Sequence, residues 1–321
     1  MRILVTGGAG FIGSHLCERL IKDGYNVTAI DNFSSGAKSN LTNLENSDNF
    51  SLIEGSILDT HILDPLIKEA DYVFHLAAAV GVFNIVNHPL ASLLTNIRGT
   101  ENVLDAAYKT KTPVFLTSSS EVYGKNISDS LKESDDRILG SPVTLRWSYS
   151  EAKAIDESLA YAYFIEKQLE TRIVRFFNTV GPRQLGAYGM VVPRFVKAAL
   201  INEPITIYGD GNQTRCFAHV YDVVDAVLAI AFANNTIGKV INIGNDFEIS
   251  INGLAKRIIE ETGSKSEIVY VSYEEAYGDG FEDMERRVPN IDLINQLVGW
   301  EPKRDLSTMI ADISVEMTKG S

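Results

Sequence analysis

Ile3-Leu4-Val5-Thr6-Gly7-Gly8-Ala9-Gly10-Phe11-Ile12-Gly13 stands almost at the start of the chain, and in it an apolar run passes directly into spaced glycines. This order is typical of a buried strand, a tight turn and the first turn of a helix. Gly7 suits the tight turn, Gly10 lets a ligand approach the backbone, and Gly13 lets the helix pack closely on the strand. The free amides of the helix N-terminus can hold a diphosphate, so the stretch predicts a dinucleotide-binding turn.

A second predicted strand, residues 26–30, ends in Asp31. A carboxylate at this strand end accepts hydrogen bonds from the adenosine ribose hydroxyls, and it would repel a phosphate in the same place. We therefore expect the cofactor to be NAD rather than NADP.

The composition is that of an ordinary globular protein of 321 residues, with a formal net charge of −13. This charge argues against binding to nucleic acids or to anionic membranes. No apolar segment is long enough to cross a bilayer, and no cleavable signal precedes the first strand. The cysteines, Cys17 and Cys216, lack paired spacing, which fits a cytoplasmic protein. The histidines are scattered without ligand spacing, so we expect no metal site.

Strand and helix patterns alternate through the first half of the chain. They predict strands at residues 50–54, 72–76, 114–117 and 172–176, and helices at 91–108 and 148–166. Such alternation produces an α/β fold with a doubly wound parallel sheet, the Rossmann architecture. A strand that is apolar throughout, such as 72–76, fits a sheet buried on both sides. We interpret His75 within it as a hydrogen-bonded core histidine rather than a catalyst.

The pattern loosens after residue 178, where glycine-containing loops appear at 181–183, 186–189 and 208–212. Residues 223–232 and 240–243 are predicted to return to the main sheet as a helix and a strand. We therefore predict an NAD-binding domain formed by residues 1–178 with 216–245. Residues 179–215 with 246–318 would form a smaller mixed region that binds the substrate over the carboxyl ends of the strands.

Tyr149 and Lys153 are four residues apart, so they share one face of the predicted helix 148–166. A tyrosine is a poor base at neutral pH, because its ordinary pKa is about 10, but a nearby ammonium favours the phenolate. The spacing alone occurs in many helices. Together with the dinucleotide turn, it predicts a proton-transfer pair beside the cofactor.

Hydroxyl side chains cluster in Thr117-Ser118-Ser119-Ser120, at the carboxyl end of a predicted strand. This edge of the sheet faces the expected cofactor. The cluster is either part of a catalytic site or a polar strand end, and the second interpretation suits some of its hydroxyls.

Segments spread in order along nearly the whole chain resemble the extended short-chain dehydrogenase/reductase family, whose members modify nucleotide sugars. They are the glycine turn, His75-Leu76-Ala77-Ala78, Asn96-Ile97-Arg98-Gly99-Thr100, Ser118-Ser119-Ser120-Glu121-Val122-Tyr123-Gly124, residues 149–153, Arg175-Phe176-Phe177-Asn178, Gly181-Pro182-Arg183 and Gly209-Asp210-Gly211-Asn212-Gln213-Thr214-Arg215. The number and order of these matches make the resemblance specific. It implies oxidation of the sugar at carbon 4 by NAD as the first step.

The resemblance also implies roles for individual residues. Tyr149 would be the catalytic base, Lys153 would hold the nicotinamide ribose and Tyr149, and Ser119 would bond the 4-hydroxyl of the sugar. The NAD-binding residues, besides Tyr149 and Lys153, would be Gly7, Gly10, Phe11, Ile12, Gly13, Asp31, Asn32, Ser56, Ile57, Leu76, Ala77, Ala78 and Asn96. The residues that bind the nucleotide sugar would be Asn178, Arg194, Tyr208, Arg215 and Arg287. Ser56 stands where many relatives carry an aspartate that binds the adenine amino group, which weakens the expected contact to adenine.

The residues after Ser119 distinguish the reactions of the family. Epimerases usually have small or neutral groups at the position of Glu121. Ser120-Glu121 is instead similar to the pair in UDP-glucuronate decarboxylases and in GDP-mannose 4,6-dehydratases. The dTDP-glucose dehydratases carry Asp-Glu there, which this chain lacks.

Two further segments, residues 140–143 with 146–149 and residues 280–289, resemble the decarboxylase domain of the bacterial polymyxin-resistance enzyme and plant UDP-apiose/UDP-xylose synthase. In those relatives the arginine at the position of Arg287 lies beside the reacting carboxylate, and a cation there can bind a uronate. Arg287 is therefore interpreted either as this ligand or as a surface or diphosphate-binding charge. For Arg286 we favour the second interpretation.

We therefore expect an NAD-dependent decarboxylase of a UDP-uronate, either UDP-glucuronate or UDP-N-acetylglucosaminuronate. Its predicted catalytic residues are Tyr149, Lys153, Ser119, Ser120, Glu121 and Arg287. A UDP-hexose or UDP-hexuronate 4-epimerase is the first alternative and a sugar-nucleotide 4,6-dehydratase the second. A non-catalytic dinucleotide sensor is a distant alternative, because such proteins typically lose the tyrosine and lysine.

The family also implies a homodimer formed through helices 91–108 and 148–166, although their apolar positions could equally form an intramolecular core.

Overall fold

The structure is a computed structural model. It describes residues 1–81, 85, 87–186, 190–277 and 284–319. Parts of the predicted loop 186–189 and of the segment 280–289 lie outside the described residues, namely 187–189 and 280–283.

A seven-stranded parallel sheet forms the centre of the molecule, with the order β3-β2-β1-β4-β5-β6-β11. The strands in chain order are β1 Arg2–Thr6, β2 Asn26–Asp31, β3 Phe50–Glu54, β4 Tyr72–His75, β5 Val114–Ser119, β6 Thr171–Phe176, β7 Thr179–Val180, β8 Ile205–Tyr208, β9 Thr214–Cys216, β10 Ala218–His219, β11 Val240–Ile243, β12 Glu248–Ser250 and β13 Ile268–Val271. The strand order reverses at β1, which pairs with β2 on one side and β4 on the other. Open sheets of this kind bind ligands at such a reversal, beyond the carboxyl ends of the strands.

Helices cover both faces of the sheet. The helices are α1 Phe11–Lys22, α2 Thr60–Glu69, α3 Pro89–Thr110, α4 Ser148–Lys167, α5 Val191–Leu200, α6 Val220–Ala231, α7 Ile251–Thr262, α8 Tyr273–Tyr277, α9 Asp292–Val298 and α10 Leu306–Lys319. Leu16 of α1 and Val227 of α6 lie in the core on one face. Leu63 of α2, Leu104 of α3 and Ala160 of α4 lie in the core on the other face. The doubly wound fold predicted from the sequence is therefore confirmed.

A second region lies after β6, and its strands pair outside the main sheet. They form three two-stranded sheets, β7 with β10, β8 with β13 and β9 with β12. This region has its own apolar core, which includes Phe195 of α5, Leu254 of α7 and Ile310 of α10. The predicted return of the chain to the main sheet is correct, because α6 packs with α1 and β11 pairs with β6.

One element packs differently from the predicted division of the chain. Ile294 of α9 and the nearby Trp300 belong to the core of the main sheet, and the Trp300 indole donates to the backbone oxygen of Asp222 at 3.0 Å. Residues 246–318 therefore do not all pack with the smaller region.

Candidate active site

A cavity of about 500 Å³ runs over the carboxyl ends of the strands and into the smaller region. Among its lining residues are all the predicted NAD-binding, catalytic and substrate-binding residues except Asn96. The Asn96 amide instead bonds both backbone groups of Ala79, accepting from its nitrogen at 2.7 Å and donating to its oxygen at 3.2 Å. Asn96 therefore holds the loop after β4, which carries lining residues, and does not itself line the cavity.

The glycine turn between β1 and α1 leaves no room for side chains. Gly7 has a φ of +72°, and a Cβ there would lie 2.8 Å from the backbone nitrogen of Ala77. A Cβ on Gly13 would collide with the carbonyl oxygen of Gly7. The backbone at the start of α1 is thus open to a ligand, and this cradle fits the diphosphate of a dinucleotide.

Asp31 ends β2 at the edge of this cradle. Its carboxylate accepts hydrogen bonds from the backbone nitrogens of Ala9 at 2.9 Å and Phe33 at 2.8 Å. Burial raises the pKa of Asp31, while these amides act to lower it. The amides fix the carboxylate in the cavity wall, where the predicted ribose contact would be made.

His75 is a structural residue, as the sequence predicted. It is buried in β4, where its Nδ1 lies 2.7 Å from the Thr6 hydroxyl and its Nε2 lies 3.2 Å from the Thr100 hydroxyl. Burial and the Lys153 ammonium lower the pKa of His75 to about 3. The ring is therefore neutral at physiological pH.

The hydroxyl cluster at the end of β5 divides into two pairs. Thr117 donates to the His75 carbonyl at 3.0 Å and Ser118 donates to the Glu157 carboxylate at 2.6 Å, so both stabilise the fold. The Ser119 hydroxyl bonds the Tyr149 phenol. The Ser120 hydroxyl lies 3.3 Å from the Arg287 guanidinium. The catalytic interpretation thus suits the second pair and the strand-end interpretation the first.

Tyr149 and Lys153 project from the first turns of α4 into the cavity. The Lys153 ammonium donates to the Thr117 carbonyl and to the Asp156 carboxylate, each at 3.1 Å. Burial, Glu121 and Asp156 raise the pKa of Tyr149 above its ordinary value, and the Ser119 hydroxyl acts in the opposite direction. The Lys153 ammonium is bonded to an acid in this arrangement, and its predicted effect on the pKa of Tyr149 stays a prediction.

Glu121 lies between two guanidiniums. Its carboxylate accepts from Arg287 at 2.8 Å and from Arg146 at 3.1 Å. Burial alone would raise the pKa of Glu121, but Arg287 and Arg146 outweigh it and lower this pKa to about 2. Glu121 is therefore an anion at neutral pH, so it orients the arginines and is not a proton donor in this arrangement. The cluster therefore places two guanidinium groups and one carboxylate beside Tyr149.

Arg146 was not among the predicted site residues, although its segment was. It lies in a short 3-10 helix, Leu145–Trp147, that leads into α4. Its position three residues before Tyr149, on a continuous helical path, is the sequence signal that could have identified it. Arg286, by contrast, is half-exposed and pairs with Glu248 at 2.7 Å, which confirms the surface-charge interpretation.

The far end of the cavity carries the predicted nucleotide-sugar ligands. The Arg194 guanidinium stacks over the Tyr208 ring at 4.1 Å. Asn178 donates to the Cys216 carbonyl at 3.0 Å, and Arg215 donates to the Thr214 carbonyl at 2.7 Å. All four side chains line the same cavity as Tyr149.

Gln213 and Tyr273 are among the lining residues at this end that the sequence analysis did not assign to the site. Gln213 donates to the Tyr208 carbonyl at 3.0 Å and to the Tyr273 hydroxyl at 2.9 Å. Tyr273 comes from α8, far along the chain, so no local pattern connects it with the site.

Comparison with known proteins places this geometry in a family. The NAD dependent epimerase/dehydratase family matches residues 3–244. The chain belongs to this family. NAD is accordingly its cofactor, and the glycine cradle and Asp31 are the residues that would hold it. When bound, NAD supplies a reversible hydride acceptor.

Among curated relatives, a UDP-N-acetyl-alpha-D-glucosaminuronate decarboxylase of Bacillus cytotoxicus is 42% identical over 94% of this chain and 92% of its own length. The UDP-glucuronic acid decarboxylase 1 of Xenopus tropicalis is 38% identical over 94% of this chain and 68% of its own length. Among solved structures, a Bacillus cereus UDP-glucuronic acid 4-epimerase in complex with UDP-glucuronic acid and NAD superimposes with a TM-score of 0.90. It is 30% identical, and the match covers all of both chains.

The described residues contain no helix that is both long and apolar enough to cross a membrane. They also contain no group of three or more histidine, cysteine, aspartate or glutamate side chains placed to hold a metal ion.

Proposed function

We propose that the protein removes carbon dioxide from a UDP-linked uronate through a 4-keto intermediate. The observation that carries the proposal is the Arg146–Glu121–Arg287 cluster beside Tyr149 in the cavity. Guanidinium groups that line the cavity can bind a sugar carboxylate through charge-assisted hydrogen bonds, an interaction that a neutral hexose does not offer.

In the proposed reaction, different side chains of the cavity transfer the proton and bind the carboxylate. Tyr149 takes the proton of the 4-hydroxyl, and Ser119 bonds the same oxygen. Oxidation at carbon 4 makes the sugar a β-keto acid, so the bond from carbon 5 to the carboxylate breaks and its electron pair enters an enolate. Arg287 and Arg146 bind the carboxylate before it leaves as carbon dioxide and stabilise the enolate that remains. Carbon 5 of the enolate then takes up a proton from water, so a carbon–hydrogen bond replaces the bond to the lost carboxylate.

The two curated relatives support the same reaction, since both are named as uronate decarboxylases and match nearly the whole of this chain. They differ in the sugar, so UDP-glucuronate and UDP-N-acetylglucosaminuronate are both substrates to be tested.

A 4-epimerase acting on a UDP-uronate is the second candidate. It is supported by the fold of the Bacillus cereus enzyme, whose ligand also carries a carboxylate. A 4,6-dehydratase is less consistent with the site, because elimination of water needs an acid and Glu121 is held as an anion. A dinucleotide sensor is less consistent still, because the cavity holds both Tyr149 and Lys153.

The deciding experiment is a product analysis by mass spectrometry. The protein with NAD is incubated with UDP-glucuronate, UDP-N-acetylglucosaminuronate and, as a neutral control, UDP-glucose. We expect loss of carbon dioxide from a uronate and no reaction of the control. An unchanged mass with an inverted carbon 4 would make the protein an epimerase, and loss of water would make it a dehydratase.

We further propose that the residues of the main sheet, 1–178 with 216–245, bind NAD and that 179–215 with 246–318 contribute the nucleotide-sugar site. The separate apolar core of the smaller region supports this division. The helix α9 is an exception within 246–318, because its Ile294 packs in the apolar core of the main sheet.

A homodimer through α3 and α4 is our proposal for the assembly. Apolar side chains on their outer surfaces support it, with Leu90, Ile155 and Ile165 exposed by 69, 42 and 57%. We expect light scattering at micromolar concentration to give a dimer, and Ile155→Asp with Ile165→Asp to give a monomer. A monomeric unmodified protein would contradict the proposal.

We also propose a cytoplasmic location, supported by the buried free thiols of Cys17 and Cys216. Cell fractionation would test it.

A further inference from the structure

We propose that Asp156 is a positioning residue, whose carboxylate holds the Lys153 ammonium and through it controls the uptake of the substrate proton by Tyr149. The inference rests on the part of the proposed function in which Tyr149 acts as base at carbon 4. It does not depend on whether decarboxylation or epimerisation follows.

The geometry makes Asp156 an unusual interior residue. It lies three positions after Lys153 on α4, and the two side chains are 0 and 3% exposed. Its Oδ2 accepts from the Lys153 ammonium, while its Oδ1 has no hydrogen-bond partner among the described residues. Such a carboxylate costs folding free energy, because a buried charge with unused acceptors has lost its hydration. A group that destabilises the interior beside a catalytic pair is a candidate for a functional role.

Asp156 acts on Tyr149 in two ways. Its own charge raises the pKa of the phenol. It also accepts one of the hydrogen bonds of Lys153, so the ammonium is neutralised where it could otherwise favour the phenolate. Both effects keep Tyr149 protonated to higher pH than the lysine alone would allow.

The other charged groups around the pair already have partners. Glu121 is bonded to Arg146 and Arg287, which leaves its carboxylate balanced. From the neighbouring elements, β6 supplies Arg175, which holds Glu157 at 2.7 Å, and β4 supplies the neutral His75. Thr100 of α3 places its hydroxyl where it acts to lower the pKa of Asp156, opposing the effect of burial.

The test is the pH dependence of hydride transfer. Asp156→Asn keeps the size and the acceptor oxygen but removes the charge. Single-turnover formation of NADH, followed by absorbance, is measured across the acidic limb of the rate profile, where the rate rises as Tyr149 loses its proton. Removing a neighbouring anion lowers the pKa of a phenol, so we expect the limb to move to lower pH by about one unit.

The matched control is Glu151→Gln, which removes an equal charge from an exposed part of the same helix. Its limb should coincide with that of the unmodified enzyme. A second variant, Asp156→Ser, removes the same charge but leaves room for water beside the Lys153 ammonium, and we expect a shift in the same direction. This second variant tests the proposal if Asp156→Asn does not fold.

The proposal would be overturned if the variants that fold lost rate by the same factor at every pH and their acidic limb did not move. Asp156 would then be a structural residue. NADH formation and carbon dioxide release are scored separately. An enzyme that forms NADH without releasing carbon dioxide would refute decarboxylation but would still report on Asp156.

Discussion

At the scale of single residues, the site depends on which charges become neighbours in a buried space. Glu121 is the clearest case, because Arg287 and Arg146 hold it as an anion with a pKa of about 2. A carboxylate in this state serves to orient cations, and the guanidiniums are the groups that can meet a substrate carboxylate. Tyr149 is the contrasting case, since its pKa is raised by burial and by two acids.

Tyr149→Phe should reduce turnover by roughly 10²- to 10⁴-fold, because the variant keeps the ring and removes the proton acceptor. Binding of UDP and NAD should be nearly unchanged, since the ring stays in place and only one of many cavity contacts is lost. Steady-state rates with calorimetric binding constants would check both parts. A variant that retains the rate of the unmodified enzyme would show that the family mechanism does not apply.

Arg287→Ala should slow carbon dioxide release roughly 10- to 100-fold, because a charge-assisted contact to the reacting group is lost. UDP affinity should change little by comparison, since the nucleotide contacts remain. The neighbouring Arg286→Ala is the matched control, because Arg286 pairs with Glu248 at the surface. Equal effects of the two substitutions, measured by carbon dioxide capture, would contradict the carboxylate role of Arg287.

At the scale of secondary structure, the glycine turn and α4 determine where ligands and catalytic groups can lie. The turn brings the start of α1 against the ends of β1 and β4, and it does so only because Cβ atoms are missing at Gly7 and Gly13. The helix α4 carries Tyr149, Lys153 and Asp156 in its first three turns, so one element supplies the base and the groups that tune it.

Gly13→Ala should destabilise the protein by about 1–3 kcal/mol, because the new methyl group would overlap the Gly7 carbonyl and push α1 from the sheet. NAD affinity should fall with it. Gly263→Ala is the control: Gly263 has a φ of +62° and open space around it, so the variant should be strained without affecting NAD. Urea unfolding and NAD titration of both proteins would check this, and unaltered NAD affinity of Gly13→Ala would contradict it.

At the scale of the whole molecule, the sheet and its flanking cores enclose ionisable groups whose protonation does not change near neutral pH. His75 has a pKa of about 3 in the folded protein and an ordinary value of 6.5. The unfolded chain therefore binds a proton below the ordinary value, while the folded protein does not. The stability that His75 contributes is present at higher pH and is lost as the pH falls from 6.5 toward 3.

His75→Gln should make stability less dependent on pH. In the unmodified protein this one group should remove about 1.4 kcal/mol of unfolding free energy for each pH unit well below its ordinary pKa. The variant should be less stable at neutral pH, since the hydrogen bonds with Thr6 and Thr100 change. On acidification, however, its free energy of unfolding should fall by about 1.4 kcal/mol less per pH unit than that of the unmodified protein. Urea unfolding at neutral and mildly acidic pH would measure the difference. Identical pH slopes would place the His75 ring in contact with water.

The sequence by itself determined the strands and helices of the main sheet, the glycine turn and the shared face of Tyr149 and Lys153. These features are local, because backbone propensity, hydrophobic period and helical spacing act over a few residues. Only the tertiary structure decided that Arg287 would bond Glu121, 166 positions away in the chain, and that Arg146 would join them. It alone decided that Lys153 would bond Asp156, since burial and through-space charge determine the partner of an ion, and neither can be derived from spacing along the chain.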